Sequence, residues 1–196
     1  GLAEEAYRFV MSAMRRDGRL PHACRSDRFV FPGLATDHAA MAKAALALYE
    51  VTFDAGYLAD AEALADTVRR HYWNDTEPGY YLSADDAEAL IIRPRSVTDE
   101  ATPSATSVMT QNLVRLWRLT GKDPYRADAD AILAAAGDAI ANNLFATAGL
   151  LNALDLRLGA VDVAIVAPPG IDPGAMLRQV RAAATPSTII TLHTGD

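Results

Sequence analysis

The sequence predicts a mainly α-helical protein in which outer and inner helices alternate as α/α hairpins, with a short β-hairpin and a C-terminal β-α-β unit. Apolar residues recur every three or four positions over six segments, which is the period of a helix with a buried face. In every second segment, small or apolar residues lie on nearly all sides of the predicted helix, as expected for a helix buried between neighbours. Near the C-terminus, two runs of β-branched residues flank one more helical segment.

Three of the predicted helices have one polar face and are assigned to the outside. Residues 2–14 place Glu4, Glu5 and Arg8 between the apolar positions. Residues 57–72 and 125–142 repeat this amphipathic pattern.

The other three helices are assigned to the inside. Residues 37–52 carry Lys43 and Glu50 as the only charges in the body of the helix, and residues 104–119 and 146–158 are similarly poor in charge. Connections are marked by Gly121 and by Pro124, residues that commonly end and begin helices.

Two regions depart from the helical pattern. Residues 79–82 and 90–92 predict a β-hairpin that projects from one end of the helices. Residues 161–166 and 187–192 predict strands around a helix that begins near Pro173. We therefore divide the chain into a partial helical arc of three hairpins, 1–158, and a small β-α-β unit, 159–196.

Composition excludes several function classes. The net charge of −7 opposes binding to nucleic acid or to an anionic membrane, so neither is expected as a partner. Cys24 is the only cysteine, which rules out an internal disulfide and agrees with a reducing cytoplasm. The chain has no long apolar run and no signal-like start, and its opening on Gly1 indicates a trimmed segment of a longer protein.

Cofactor and metal signals are lacking as well. His71 and His193 have no partner at metal-ligand spacing, and residues 167–170 match no phosphate-binding glycine pattern. We expect no cofactor and no metal.

Several motifs resemble those of a known family. They are Asp17-Gly18-Arg19-Leu20-Pro21-His22, Thr36-Asp37-His38-Ala39, Pro103-Ser104 with Ser107, and Asn112-Leu113-Val114-Arg115-Leu116. Together they resemble the C-terminal part of thioredoxin-domain-containing proteins of the bacterial YyaL and spermatogenesis-associated type. The resemblance implies about half of an (α/α)6 toroid, the ring of six-hairpin glycosidases and N-acylglucosamine epimerases, without the thioredoxin-like domain.

In such a ring, the cavity is lined by the starts of the inner helices and by the loops that enter them. This places Asp37, His38, Asp99 and Glu100 as candidate catalytic residues, because two carboxylates and a histidine can exchange protons with a sugar. The alternative is that Asp37 and Ser104 only cap the helices that follow them.

Substrate-binding candidates surround these positions. They are His22, Arg25, Arg93, Arg95, Trp73, Tyr80, Tyr81 and Ser104. Paired arginines can hold a carboxylate or phosphate, although surface salt bridges explain them equally well. The aromatic residues offer a stacking platform for a sugar ring, but packing against the helices is the interpretation that we favour.

Two functions remain open. The first is a parent protein that acts on carbohydrate as an epimerase or hydrolase and binds a sugar-like ligand, with the isolated chain inactive. The second is a non-catalytic scaffold or binding module that partners a thioredoxin-like domain. It is favoured because Glu100, Ala105 and Thr106 stand where the family carries glycines and an asparagine. Half a ring also predicts exposed apolar surface, with self-association or association with the rest of the ring.

Overall fold

A computed structural model describes residues 1–89 and 91–195 and confirms the mainly α-helical class. The helices are α1 (Leu2–Phe9), α2 (Ala35–Thr52), α3 (Ala55–Tyr72), α4 (Ala105–Thr120), α5 (Asp123–Ala135), α6 (Gly137–Asn142), α7 (Ala148–Gly159) and α8 (Gly174–Ala183). The strands are β1 (Ala23–Arg25), β2 (Arg28–Val30), β3 (Val161–Ala167) and β4 (Thr188–Thr194). A π-helical turn, Val10–Met14, continues α1, and the predicted helix 125–142 is divided into α5 and α6 at Ala136.

The inner helices form a row in the order α2, α4, α7. Helix α4 packs against both of the others, α3 covers α2, and α5 covers α4. The first three turns of α2 bury small residues, Ala35, Ala39, Ala42 and Ala45, each at most 1% exposed. Small side chains let helices approach closely, so this row forms the centre of the core.

Helix α2 is not covered all round as its composition suggested. One stripe, with Ala40, Lys43 and Ala47, is exposed because α1 covers only part of the helix. Beside this stripe, a groove of about 480 Å³ between α1 and α2 has almost entirely apolar walls, among them Val10 and Met41. Apolar surface is thus open at this edge of the row.

Among the described residues, no helix is both long enough and apolar enough to cross a bilayer.

The short β-hairpin forms earlier in the chain than expected. Strands β1 and β2 pair antiparallel around Ser26 and Asp27, both of which have positive φ as a two-residue hairpin loop requires. In the predicted location, Tyr80 instead bridges to Trp73, and Tyr81 bridges to Arg95. The second predicted strand is exposed at 91–92, and Leu90 lies outside the described residues.

The C-terminal β-α-β unit forms as predicted, with β3 and β4 parallel and α8 between them in the chain. It packs across the C-terminal ends of the inner helices. Arg115 of α4 donates to Glu50 of α2 at 2.5 Å and to the carbonyl oxygen of Pro186 at 2.6 Å. The Ser187 hydroxyl donates to Asp155 of α7 at 2.6 Å. The unit therefore closes one end of the inner row, while its boundary at residue 159 stays a prediction.

Replacing Arg115 by methionine should weaken this junction. Burial raises the pKa of Glu50, whereas Arg115 opposes that shift by favouring the ionised carboxylate. Without its partner, the partly buried carboxylate should cost about 1–3 kcal/mol of unfolding free energy, measurable by urea denaturation. Arg126→Met, which removes an exposed pair with Asp123, is the matched control and should cost under about 1 kcal/mol. Equal losses in both variants would show that the junction contributes no more than a surface ion pair.

Candidate functional site

A cleft opens at the N-terminal ends of α2 and α4. It consists of two adjoining cavities of about 440 and 450 Å³, which share Thr36, Thr102, Pro103 and Ala105. We call it the helix-end cleft. Its other polar and charged lining residues are Asp37, Lys43, Tyr80, Arg95, Ser96, Thr98, Glu100 and Ser104. Hydroxyl groups and charges of both signs therefore face one space.

Asp37 both caps α2 and lines the helix-end cleft. Its Oδ2 accepts a hydrogen bond from the backbone N–H of Leu34 at 2.7 Å, an interaction that satisfies the first turn of α2. The same oxygen lies 2.9 Å from Nδ1 of His22. The sequence anticipated the cap but not the contact with His22.

His38 does not face the cleft, contrary to its prediction as a catalytic residue. Its side chain is fully buried against Tyr72. Nδ1 donates to the carbonyl oxygen of Leu34 at 2.9 Å, and Nε2 accepts from the backbone N–H of Leu20 at 3.2 Å. Burial lowers the pKa of His38. Both nitrogens are thus occupied, and the residue supports the backbone.

Asp99 is also engaged on both oxygens. Oδ1 accepts from the backbone N–H of Ser104 at 2.8 Å and from the hydroxyl of Ser107 at 2.7 Å. Oδ2 accepts from the backbone N–H of Gly149 at 2.6 Å. Partial burial opposes ionisation, but these hydrogen bonds outweigh it and lower the pKa of Asp99. A carboxylate held in this way connects the starts of α4 and α7 and is poorly suited to act as an acid.

Glu100 and Ser104 both line the cleft but differ in their local role. Glu100 is exposed, and its backbone N–H donates to the carbonyl oxygen of Thr102 at 3.1 Å. Ser104 is the N-cap of α4, where its hydroxyl oxygen accepts from the N–H of Ser107 at 3.1 Å. Of the predicted catalytic residues, Asp37 and Glu100 thus share the cleft with accessible side chains.

The predicted arginines do not converge on an anion site. Arg93 donates to the carbonyl oxygens of Ser83 and His71 and stacks over Tyr81, with 4.2 Å from its guanidinium carbon to the ring centre. Arg95 lines the cleft but pairs with Glu77. Arg25 is exposed on β1. These residues connect loops or lie on the surface.

The predicted aromatic platform is a packing cluster, as favoured from the sequence. Tyr80 is 2% exposed and meets Trp73 edge-on, with ring centres 5.3 Å apart. Arg69 covers Trp73 at 4.1 Å. Tyr80 forms part of the cleft wall. A face of the Trp73 ring that could stack on a sugar is covered by the guanidinium of Arg69.

The structure also brings together residues whose proximity the sequence did not reveal. Nδ1 of His71 lies 2.8 Å from Asp85, and the ligand atoms of these two residues and Asp86 fall within 4.8 Å of one another. Arg19 already donates to both oxygens of Asp86. This guanidinium neutralises negative charge that the cluster would otherwise offer to a metal ion.

Comparison with known proteins confirms the predicted resemblance. Spermatogenesis-associated protein 20 of Mus musculus is 27% identical over 84% of this chain and 21% of that protein, and its Rattus norvegicus counterpart is 28% identical over the same shares. An uncharacterized protein of Caenorhabditis elegans is 33% identical over 48% of this chain and 13% of its own. The chain thus spans about a fifth of the length of the first of these curated relatives. No protein-family profile matches it.

A solved structure confirms the fold class. The GH76 α-mannanase of Bacteroides thetaiotaomicron superposes with a TM-score of 0.58 at 14% identity, over 76% of this chain and 43% of that chain. At this identity, the likeness shows the fold alone. The helices described above are an arc of an α/α toroid.

Gly149→Ala should destabilise the protein, because an added Cβ would lie 2.6 Å from the Ser107 hydroxyl and 2.9 Å from Oδ2 of Asp99. We expect a loss of about 1–3 kcal/mol in unfolding free energy, measured by urea denaturation. Gly137→Ala is the control, since nothing lies within 4 Å of its added Cβ. It should be neutral or stabilise by up to about 1 kcal/mol. Similar losses in both variants would refute the close approach of α7 to Asp99.

Asp99→Asn should destabilise the protein in a pH-dependent way. The pKa of Asp99 is lower in the folded chain than its ordinary value, so the ionised group stabilises the fold above about pH 4. That contribution is lost as the pH falls through the folded-state pKa. The difference in unfolding free energy between wild type and variant should therefore be largest near neutral pH and shrink towards about pH 3. A constant difference across this range would contradict the role of the charge.

Proposed function

We propose that this chain supplies the ligand-binding wall of an α/α toroid protein that acts on carbohydrate, with the helix-end cleft as the sugar site. The observation that carries the proposal is the lining of the cleft: hydroxyls from Thr36, Thr98 and Thr102 stand beside the carboxylates of Asp37 and Glu100. Hydroxyl and carboxylate groups form hydrogen bonds with the hydroxyls of a sugar. The α-mannanase activity named for the structural neighbour belongs to that protein and supports the choice of a mannoside as first probe.

The proposal separates binding from turnover. A glycosidase needs two carboxylates that are free to exchange protons, and Asp99 is committed to three hydrogen bonds. Oδ2 of Asp37 is held by the N–H of Leu34 and by His22, so in the described part of the chain Glu100 is the acidic side chain of the lining that has no hydrogen bond. We therefore expect the isolated chain to bind a sugar without hydrolysing or epimerising it.

A second candidate function is a non-catalytic scaffold, in the parent protein a partner of a thioredoxin-like domain. It is favoured by the engagement of His38, Asp99 and Arg93, whose polar atoms hold backbone and helix ends together. The apolar groove between α1 and α2 supports it as well, since such surfaces commonly contact other protein elements.

Sugar binding at the cleft is tested by titrating isotope-labelled protein with methyl α-D-mannoside and with an α-mannan oligosaccharide, followed by NMR. We expect backbone resonances around Thr36 and Thr102 to shift. Glu100→Gln should weaken binding about 3- to 10-fold, because it removes a charged hydrogen-bond acceptor from the cleft.

Glu88→Gln is the matched control, since it makes the same change at an exposed residue outside the cleft lining. Its affinity should equal that of the wild type. If neither sugar shifts any cleft resonance, the carbohydrate proposal is wrong and the scaffold function is favoured.

A further inference from the structure

His22 forms a pair with Asp37, one of the residues that line the helix-end cleft. Oδ2 of Asp37 lies 2.9 Å from Nδ1 of His22, and a carboxylate can only accept a hydrogen bond. Nδ1 must therefore carry a proton, and in a neutral imidazole this leaves Nε2 as the acceptor. Among the described residues, Nε2 of His22 makes no hydrogen bond, and the side chain is half exposed.

The backbone beneath this pair is anchored on both sides. The N–H of His22 donates to the carbonyl oxygen of Val30 at 2.8 Å, across the base of the β1–β2 hairpin. Two residues earlier, the N–H of Leu20 donates to the buried Nε2 of His38, and the carbonyl oxygen of Leu20 accepts from Gly33 at 2.7 Å. Two adjacent residues of α2 therefore hold the segment from Leu20 to His22. His38 accepts from its backbone, and Asp37 contacts the side chain of His22.

An anchored side chain loses little conformational freedom when it binds a ligand. We propose that His22 is a ligand-contacting residue of the helix-end cleft, held by Asp37 as a preorganised acceptor for a hydroxyl group of the ligand. This inference rests on the proposed function. Asp37 is the positioning residue, and His38 supports the backbone that carries His22.

The chemistry of the pair selects a neutral, hydroxylated ligand. Asp37 and Glu100 are balanced in the lining by Lys43 and Arg95, so the charged groups of the cleft give no net attraction for phosphate or carboxylate groups. An unprotonated Nε2 needs a donor, and a sugar hydroxyl provides one. Oδ1 of Asp37, which makes no hydrogen bond within the described part of the chain, is available to a second hydroxyl.

The test observes the imidazole nitrogens directly by long-range nitrogen–proton NMR in mildly alkaline buffer, where imidazoles are neutral. In the free protein, His22 should show a protonated Nδ1 and an unprotonated Nε2, and Asp37→Ala should abolish this preference. On titration with methyl α-D-mannoside, the Nε2 resonance of His22 should move as that nitrogen accepts a hydrogen bond. His22→Phe should weaken binding about 5-fold or more, whereas His22→Gln, which restores an acceptor, should recover part of the affinity.

His193→Phe is the matched control, since His193 is exposed on β4 and lies in the C-terminal unit. It should leave both the affinity and the His22 resonances unchanged. If the mannoside shifts Thr36 and Thr102 while Nε2 of His22 stays unchanged, the role of His22 is wrong and the carbohydrate site stands. A His22 protonated on Nε2 in the free protein also overturns the inference. If no cleft resonance moves and the tautomer is as expected, the proposed function fails, and the ligand role of His22 fails with it.

Discussion

The carboxylate of Asp99 is the contact on which the arrangement of the inner helices depends. It accepts hydrogen bonds from the first turn of α4 and from the N–H of Gly149 in α7, while its own N–H donates to the carbonyl oxygen of Ala146 at 2.6 Å. Three chain segments separated by up to 50 residues therefore meet at one side chain. Because Gly149 has no Cβ, α7 can come close enough to make this contact. One ionised group thus connects the segment before α4 with the starts of α4 and α7.

At the start of α2, a carboxylate likewise accepts a hydrogen bond from a backbone N–H. The first N–H groups of any helix lack partners within the helix, and Asp37 supplies an acceptor there. Most polar residues that would suit catalysis are used to complete helix ends or to hold loops. Among the described residues, the polar atoms without a hydrogen bond near this helix end include Nε2 of His22, Oδ1 of Asp37 and the side-chain oxygens of Glu100, and threonine side chains line the cleft beside them. The proposed ligand site thus uses polar atoms that the capping of the helices does not engage.

The helices and the C-terminal strands could be predicted because their signals are local and periodic. The contacts of the site could not. Thr36 and Asp37 lie on the side of α2 that faces the cleft, whereas His38 packs against Tyr72, and the sequence alone did not show which side of the helix each residue would occupy. The contact of His22 with Asp37 spans 15 positions and depends on the hairpin that returns the chain. The pattern around Tyr80 and Tyr81 predicted a strand of a hairpin. Their bridge partners are instead Trp73 and Arg95, which the sequence pattern did not identify.

The charges at the two ends of the inner row explain why the cleft lies where it does. The N-terminal ends of parallel helices carry partial positive charge and favour carboxylates, whereas the C-terminal ends favour cations. Asp37 and Asp99 occupy the first kind of end, and Arg181 caps the second kind by donating to the carbonyl oxygens of Glu50 and Val51 at 2.9 Å each. The β-α-β unit covers those carbonyl ends. At the N-terminal end, the helix-end cleft is open and is lined by threonine, Asp37 and Glu100 side chains, which is why we propose the ligand site there.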